Sequence, residues 1–154
     1  MSSTPAKSEY LLLFRGLDWH RGLTPEEVQK IMIDWMAWSD RLVAEGRSKA
    51  RSSLSGGGKI ISGKDRKVSD GPFAEAKEAV AGYFLLEVSG LDEAVEIARE
   101  CPTVPFGATV EVRPMPAQCL ASQLAAAPLE CIAEMLNGRS VTSPVTNAAA
   151  SALA

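Results

Sequence analysis

The stretch Tyr83–Asp92 reads YFLLEVSGLD, and it repeats in outline the earlier stretch Tyr10–Asp18, YLLLFRGLD. In both stretches apolar side chains occupy odd and even positions of a short run, which is the pattern of a β-strand buried on both faces. Each run precedes a segment with helical periodicity. A strand followed by a helix, occurring twice around an antiparallel sheet, is how ferredoxin-like α+β folds are built.

The segment after the first strand, Glu9–Arg15, carries the signals of a helix. Thr24, Pro25 and Glu27 form a capping-box pattern, with Thr at the N-cap, Pro at the first helical position and Glu at the third. Gly46 stands where a helix ends in the left-handed conformation. Between them, apolar residues recur on one helical face and are predicted to face the core: Val28, Ile31, Met32, Trp35, Trp38 and Leu42.

The second strand, Gly82–Val88, leads into a second predicted helix, Leu91–Cys101, which Pro102 ends. Its inward residues are predicted to be Leu91, Ala94, Val95 and Ala98. A last strand, Ala108–Arg113, alternates two valines with Glu111 and Arg113, so one of its faces is expected to be solvated. The intervening segment Arg47–Asp70 predicts two strands joined by glycine-rich connections.

These elements predict an α+β fold of the ferredoxin-like type, βαββ(β)αβ, with an antiparallel sheet formed by residues 9–115. Residues 1–8 are expected to be disordered. Residues 116–154 are rich in Ala, Ser, Thr and Pro and predict a low-complexity tail with one short helix, Leu129–Leu136.

Length and composition indicate one globular domain, because the chain has 154 residues, 46% hydrophobic and 23% charged. The opening segment MSSTPAKSEY has no apolar signal region, and no window approaches the roughly 18 apolar residues of a membrane span. A cytoplasmic protein is therefore expected. Three cysteines without CxxC spacing and a single His20 predict reduced thiols, no metal site and no cofactor.

The window Arg41–Lys67 holds eight of the sixteen basic residues and only two acids, Glu45 and Asp65. One interpretation is a solvated hairpin edge that Lys and Arg protect against strand addition. The other is attraction of an anionic ligand or a nucleic-acid phosphate. No aromatic residue is interleaved there to stack bases, so nucleic acid is not favoured as a partner.

The corner SDGPFAEAKE, 69–78, has a structural and a functional interpretation. Asp70, Gly71 and Pro72 end a strand, and Asp70 can accept backbone hydrogen bonds from the following turn. Alternatively, Asp70 is an acid or base at a pocket mouth, Lys77 contacts an anion and Phe73 lines the pocket. Phe73 and Lys77 are four residues apart, so a helical turn would place them on one face.

Two helices can cover only one face of the sheet, yet the strands at Tyr10–Phe14 and Tyr83–Leu86 carry large apolar residues on both sides. Leaving several of them in water would forfeit about 1.5 to 3 kcal/mol each. A homodimer whose sheets pack face to face is the simplest way to bury this second face, and the C-terminal tail, residues 116–154, is the alternative.

Four blocks in order, DGPFAEAKE, GYFLLEV, LDEAVEIARECP and GATVEVRP, resemble the YCII-related proteins of the DGPF-motif subgroup. The resemblance runs from Glu9 to Pro114. It implies a dimeric α+β barrel with a pocket between sheet and helices. The family comprises small bacterial proteins mostly of unknown function.

The resemblance also implies candidate site residues. Members of the wider family use a His near the start of the first helix and an Asp just before the Pro that ends the second, and Glu27 and Cys101 stand at these positions. Neither half of that pair is present, although Glu can act as a base and Cys as a nucleophile. His20 lies in the loop before the helix. Related barrels bind haem, so an axial-ligand role is the alternative to a solvated His20.

Two classes of function follow. The first is a lyase or isomerase that moves protons with Asp70, or with Glu27, in a dimer pocket. The second is a non-catalytic small-molecule-binding protein or a regulatory accessory linked to transcription, with Phe73, Lys77 and Cys101 as binding residues. The missing His and Asp favour a binding pocket without assigned chemistry.

Overall fold

The structure is a computed structural model that describes residues 6–71 and 79–137. Within these ranges the chain forms six strands, four α-helices and one 3-10 turn. In chain order they are β1 (Ser8–Arg15), α1 (Pro25–Ala44), β2 (Ser48–Ser53), β3 (Gly58–Ser62), β4 (Lys67–Gly71), β5 (Val80–Val88), α2 (Leu91–Arg99), the 3-10 turn Val104–Phe106, β6 (Thr109–Met115), α3 (Leu120–Ala126) and α4 (Leu129–Leu136).

The main sheet has four strands in the order β2-β5-β1-β6, and each neighbouring pair is antiparallel. The connection from β1 through α1 to β2 therefore passes over β5, and the connection from β5 through α2 to β6 passes over β1. This is the split β-α-β arrangement of ferredoxin-like folds. The α+β fold class and the antiparallel sheet predicted from the sequence are confirmed.

The two apolar runs of the sequence form the central pair of this sheet. The strand register joins Tyr10 with Leu86, Leu12 with Phe84, and Leu13 with Tyr83. In the repeated Gly-Leu-Asp, the leucine that follows each strand, Leu17 or Leu91, is exposed. The resemblance between the two stretches thus reflects two strands with the same burial pattern.

Helix α1 begins and ends where its sequence predicts. The Thr24 side chain accepts a hydrogen bond from the Glu27 backbone N–H at 3.3 Å, and the Glu27 carboxylate accepts one from the Thr24 N–H at 2.8 Å. This capping box satisfies two backbone donors that have no partner within the helix. At the other end, Gly46 has a φ of +67°, which favours glycine.

The core lies between the sheet and the two long helices. Strand residues of one parity contribute, together with Trp38 and Leu42 from α1 and Ala94, Ile97 and Ala98 from α2. Because these side chains form one cluster, α1 and α2 cover the same face of the sheet. The strand members of the cluster are Tyr10, Leu12, Phe84, Leu86 and Val88.

Two details of the prediction were wrong. The segment 47–70 contains three strands and not two, because the polar β2, SKARSS, pairs with β5 in the main sheet, and the optional strand of the βαββ(β)αβ pattern is present. Strands β3 and β4 pair only with each other. In α2 the buried stripe is formed by Ala94, Ile97 and Ala98, while Leu91 at the first helical position is exposed.

The chain divides into two compact units, residues 1–115 and residues 116–154. The second unit contains α3 and the predicted α4, whose bounds agree with the sequence prediction. Helix α3 was not predicted, because its sequence LASQLAA was interpreted as low complexity, although Ala favours helix. Across the described ranges, no helix combines the length and the apolar character needed to cross a membrane.

We expect a chain that ends after Pro116 to keep its fold. All members of the buried core cluster lie between residues 10 and 101. Thermal unfolding of the shortened chain should show a midpoint within about 10 °C of the full chain. A larger loss would show that residues 117–154 contribute to the stability of the first unit.

Candidate functional site

Four aromatic side chains form a cluster between the sheet and α1, and we call Phe14, Trp35, Trp38 and Phe84 the aromatic cluster. The Trp38 ring stacks on Phe84 with centroids 5.3 Å apart and planes 19° apart. Phe14 and Trp35 meet Phe84 edge-on at 5.0 and 5.5 Å. Offset stacks and edge contacts are the preferred geometries of such pairs. The cluster is thus a shaped apolar wall.

The Trp38 indole N–H stands out within this wall. Trp38 is 4% exposed, and its Nε1 has no hydrogen-bond partner among the described residues. A buried donor left without an acceptor costs about 1 to 3 kcal/mol. Most buried polar groups in proteins are paired, so an unpaired one calls for a physical explanation.

The helices do not cover the sheet evenly. Leu12 and Leu86 are fully buried, whereas Phe14, Val110 and Val112 on the same face are only partly buried, as is Trp35 on α1. Phe14 pairs directly with Val110 in the register of β1 and β6. Phe14 and Trp35 are therefore the partly accessible members of the aromatic cluster, at the end of the sheet where β1 finishes and β6 begins, while Trp38 and Phe84 lie buried behind them.

Glu27 and Cys101 are the residues that the sequence resemblance made candidates for catalysis and binding. Glu27 is exposed, and its hydrogen bonds to described residues all belong to the capping box with Thr24. Cys101 is 1% exposed in the core cluster, and its Sγ lies 3.3 Å from the Thr103 hydroxyl oxygen. Both residues thus have a structural role, and their roles in catalysis and binding remain predictions.

The corner at 69–78 is described only up to Gly71. Asp70 lies on β4 directly opposite Lys59 on β3, and the two side chains form an ion pair. The Asp70 side chain is 82% exposed. Phe73 and Lys77 lie outside the described residues, so the predicted meeting of Asp70 with Lys77 stays a prediction.

A concave surface lies at the start of α1, apart from the aromatic cluster. It is an open cleft of about 600 Å³ lined by His20, Leu23, Pro25, Glu26, Val28 and Gln29. The His20 ring contacts Trp19 edge-on at 5.8 Å. In the part of the chain that the structure describes, no three His, Cys, Asp or Glu side chains come together as metal ligands would.

The sheet face opposite the helices has an apolar centre. Leu11, Leu13, Tyr83 and Leu85 occupy the two central strands there and are partly exposed. We call this surface the open face. Its composition is the one predicted from the doubly apolar strands, and it is a contiguous apolar patch of the kind that marks an interaction surface.

Two charged clusters flank the apolar centre of the open face. In the Lys49 cluster, the Lys49 ammonium lies 2.9 Å from both the Glu9 and the Glu87 carboxylates. In the Arg113 cluster, Glu111 accepts hydrogen bonds from Arg15 at 2.8 Å and from Arg113 at 3.0 Å. These clusters were missed in the sequence, although charges alternating with Leu11 and Leu13 along β1 were a signal for them.

The ion pairs shift the pKa values of their members. The hydrogen bond and charge of Lys49 hold the pKa of Glu87 below its usual value, and the two carboxylates raise the pKa of Lys49. Arg113, followed by Arg15, lowers the pKa of Glu111. Each of these three shifts favours the charged form of Lys49, Glu87 or Glu111 at neutral pH.

We expect Asp70→Asn to be nearly silent. An exposed ion pair contributes between 0 and about 1 kcal/mol, so the free energy of unfolding measured with urea should fall by less than about 1 kcal/mol. Lys59→Gln, which removes the other partner, should cause a similar loss. A variant more stable than the parent at neutral pH would indicate an unfavourably placed carboxylate and would favour an acid or base role for Asp70.

Comparison with known proteins supplies the family. The profile of the YCII-related domain matches residues 9–116. An uncharacterised protein of Rhizobium meliloti (strain 1021) is 32% identical over 95 residues, which are 58% of this chain and 77% of that protein.

Solved structures give weaker likenesses. A hypothetical protein of Arabidopsis thaliana, solved in solution, has a TM-score of 0.34 and 14% identity, over 78% of this chain and 97% of that chain. The hydroxynitrile lyase from Passiflora edulis has a TM-score of 0.34 and 8% identity, over 75% of this chain and 99% of that chain. Neither likeness bears on activity. The match over residues 9–116 is decisive, and the chain belongs to the YCII-related family.

Proposed function

We propose that the protein binds a small molecule between its sheet and α1, against the aromatic cluster, and that no catalytic chemistry is assigned to it. The observation that carries the proposal is the buried Trp38 N–H, which finds no acceptor among residues 6–71 and 79–137 and lies in a largely apolar setting. Ligand sites are mostly apolar, with a few placed polar groups that fix the orientation of the ligand. The aromatic cluster, with the one buried side-chain donor that lacks a partner in the described part of the chain, has this composition.

The residues also indicate the class of ligand. Phe14 and Trp35, which are only partly buried, offer ring faces and edges to a planar apolar molecule, and both ring centroids lie within 6.3 Å of that of Trp38. The Trp38 indole can only donate a hydrogen bond, so the ligand must supply an acceptor. A flat, largely apolar molecule with one carbonyl or similar oxygen meets both demands.

We expect 1-indanone to bind more tightly than indane, which has the same ring skeleton without the carbonyl oxygen. Satisfying the Trp38 donor should favour indanone by about fivefold or more, which corresponds to about 1 kcal/mol. In ¹⁵N spectra the Trp38 indole proton should shift downfield with indanone only. The other two indoles, Trp19 and Trp35, serve as internal references, and their signals are assigned from single Trp→Phe variants.

Trp38→Phe should remove the preference for indanone while indane still binds, and Trp35→Phe should retain the preference. Equal affinities of the parent chain for the two compounds, or an unchanged Trp38 resonance, would contradict the proposed donor. Because this comparison uses the parent chain, it holds even if the Trp38 variant is unstable.

Catalysis by Asp70 or Glu27 and a regulatory role in transcription are not favoured by any contact of the described residues. We infer membership of the DGPF-motif subgroup from the sequence at Asp70–Phe73 and the three blocks that follow it. We also infer a cytoplasmic location. Cys101, Cys119 and Cys131 are free thiols, which suits a reducing compartment.

We further propose that the protein is a homodimer and that the open face is its interface. Leu11, Leu13, Tyr83 and Leu85 are only partly buried there, and a second copy would remove them from water. A twofold dimer presents the same patch on both copies, so a single self-complementary surface suffices.

We expect light scattering at micromolar concentration to give twice the chain mass of 16.4 kDa. Leu13→Glu, which places a charge at the centre of the open face, should give a folded monomer. Ile33→Glu is the matched control, because Ile33 is 63% exposed on α1, which packs on the other face of the sheet. A monomeric parent chain would contradict the interface.

A further inference from the structure

The two charged clusters of the open face carry opposite net charges, because one joins two carboxylates to one ammonium and the other joins two guanidinium groups to one carboxylate. In the Lys49 cluster two carboxylates, Glu9 and Glu87, share one ammonium. Lys7 also lowers the pKa of Glu87, by less than Lys49 does. In the Arg113 cluster the Arg113 side chain is 64% exposed, and only its Nη1 contacts a described residue, Glu111. A guanidinium carries five donors, so Arg113 can bind further carboxylates.

The strand register fixes where the clusters lie. Glu9 and Glu87 face each other one row beyond the Leu11–Leu85 pair. On the other side of β1, Arg113 faces Leu11 and Glu111 faces Leu13. Lys49 lies on the edge strand β2, whereas Arg113 and Glu111 lie on the opposite edge strand β6. The clusters therefore stand diagonally across the apolar centre.

This diagonal placement suits a twofold axis. Strands lie about 4.8 Å apart and same-face residues about 6.8 Å apart along a strand. On that grid, we place a twofold axis between two facing sheets, at about 45° to the strands, so that it passes over Leu11, Leu85 and Tyr83. Rotation about this axis brings the Arg113 cluster of one copy over the Lys49 cluster of the other. Arg113 then meets the partner's Glu9 and Glu87. The same axis brings Lys49 over the partner's Glu111, so both ends of the diagonal match opposite charges.

We propose that two copies of the chain associate in this register, with Arg113 of one copy bound to Glu9 and Glu87 of the partner subunit. The inference rests on the proposed homodimer and adds its orientation, with the strands of the two sheets crossing at about 90°, one of the two usual packings of sheets. Charge pairs at an interface chiefly set register and select the partner. The apolar centre supplies the burial.

Two charge-reversal variants, Arg113→Glu and Glu87→Lys, test the register. In a homodimer of either variant, like charges meet at both of the symmetry-related contacts between position 113 of one copy and position 87 of the other. We expect the dimer dissociation constant of each variant to rise by about tenfold or more, a change equivalent to about 1.4 kcal/mol. In a heterodimer of the two variants, the negative charge introduced at position 113 of one copy meets the positive charge introduced at position 87 of the other. The second, symmetry-related contact keeps the native Arg113 and Glu87. The equimolar mixture should therefore form heterodimers preferentially.

The matched control uses Glu96→Lys and Arg99→Glu, which change the net charge equally on the exposed side of α2. Neither should weaken the dimer, and their mixture should form hetero- and homodimers statistically in native mass spectrometry. A dimeric parent whose Arg113 and Glu87 variants behave like this control would overturn the register and leave the homodimer standing. A monomeric parent would overturn both proposals. Circular dichroism of each variant checks that the fold is retained.

Discussion

The pairing of β1 with β5 is the interaction on which the rest of the structure depends. Seven consecutive residue pairs, from Ser8 with Val88 to Phe14 with Gly82, join the two strands before the register shifts at Arg15. Because side chains alternate along a strand, this register sends Leu12, Phe84 and Leu86 to one face. It sends Leu11, Leu13 and Leu85 to the other. A one-residue slip would exchange the two sets, so one pairing fixes both surfaces of the sheet.

The two faces then acquire different properties. On the face toward α1 and α2, Leu12 and Leu86 are fully buried, whereas Phe14 and Val110 are only partly buried. There the aromatic cluster holds the Trp38 donor, which has no acceptor among the described residues and on which the proposed site rests. On the open face, ion pairs surround an apolar centre. Both proposals therefore arise from incomplete burial of the same two strands.

The sequence predicts those parts of the fold that depend on local chemistry. The capping box of Thr24 and Glu27, the helix end at Gly46 and the two-faced strands are readable because neighbours in sequence determine them. The strand β2 was missed because SKARSS has no apolar face, and it forms by pairing with the edge of β5. Leu91 and Ile97 were misjudged because the buried stripe of α2 depends on where the helix meets the sheet.

The candidate site was less predictable than the fold. Trp38 was correctly placed in the core and Trp35 packs against it partly buried, yet only packing reveals that the Trp38 nitrogen lacks an acceptor among the described residues. Asp70 was singled out by its motif, while its ion pair with Lys59 depends on the turn between β3 and β4. The charged clusters join residues up to 96 positions apart, so register alone brings them together.

The central claim is that the second face of the β1–β5 pair is buried by another copy of the chain, and the concentration dependence of unfolding tests it most directly. Unfolding of a dimer into two chains shifts with protein concentration, whereas unfolding of a monomer does not. Over a roughly hundredfold range of concentration, the urea midpoint of the parent chain should rise steadily and that of Leu13→Glu should stay constant. A parent midpoint that does not depend on concentration would contradict the claim.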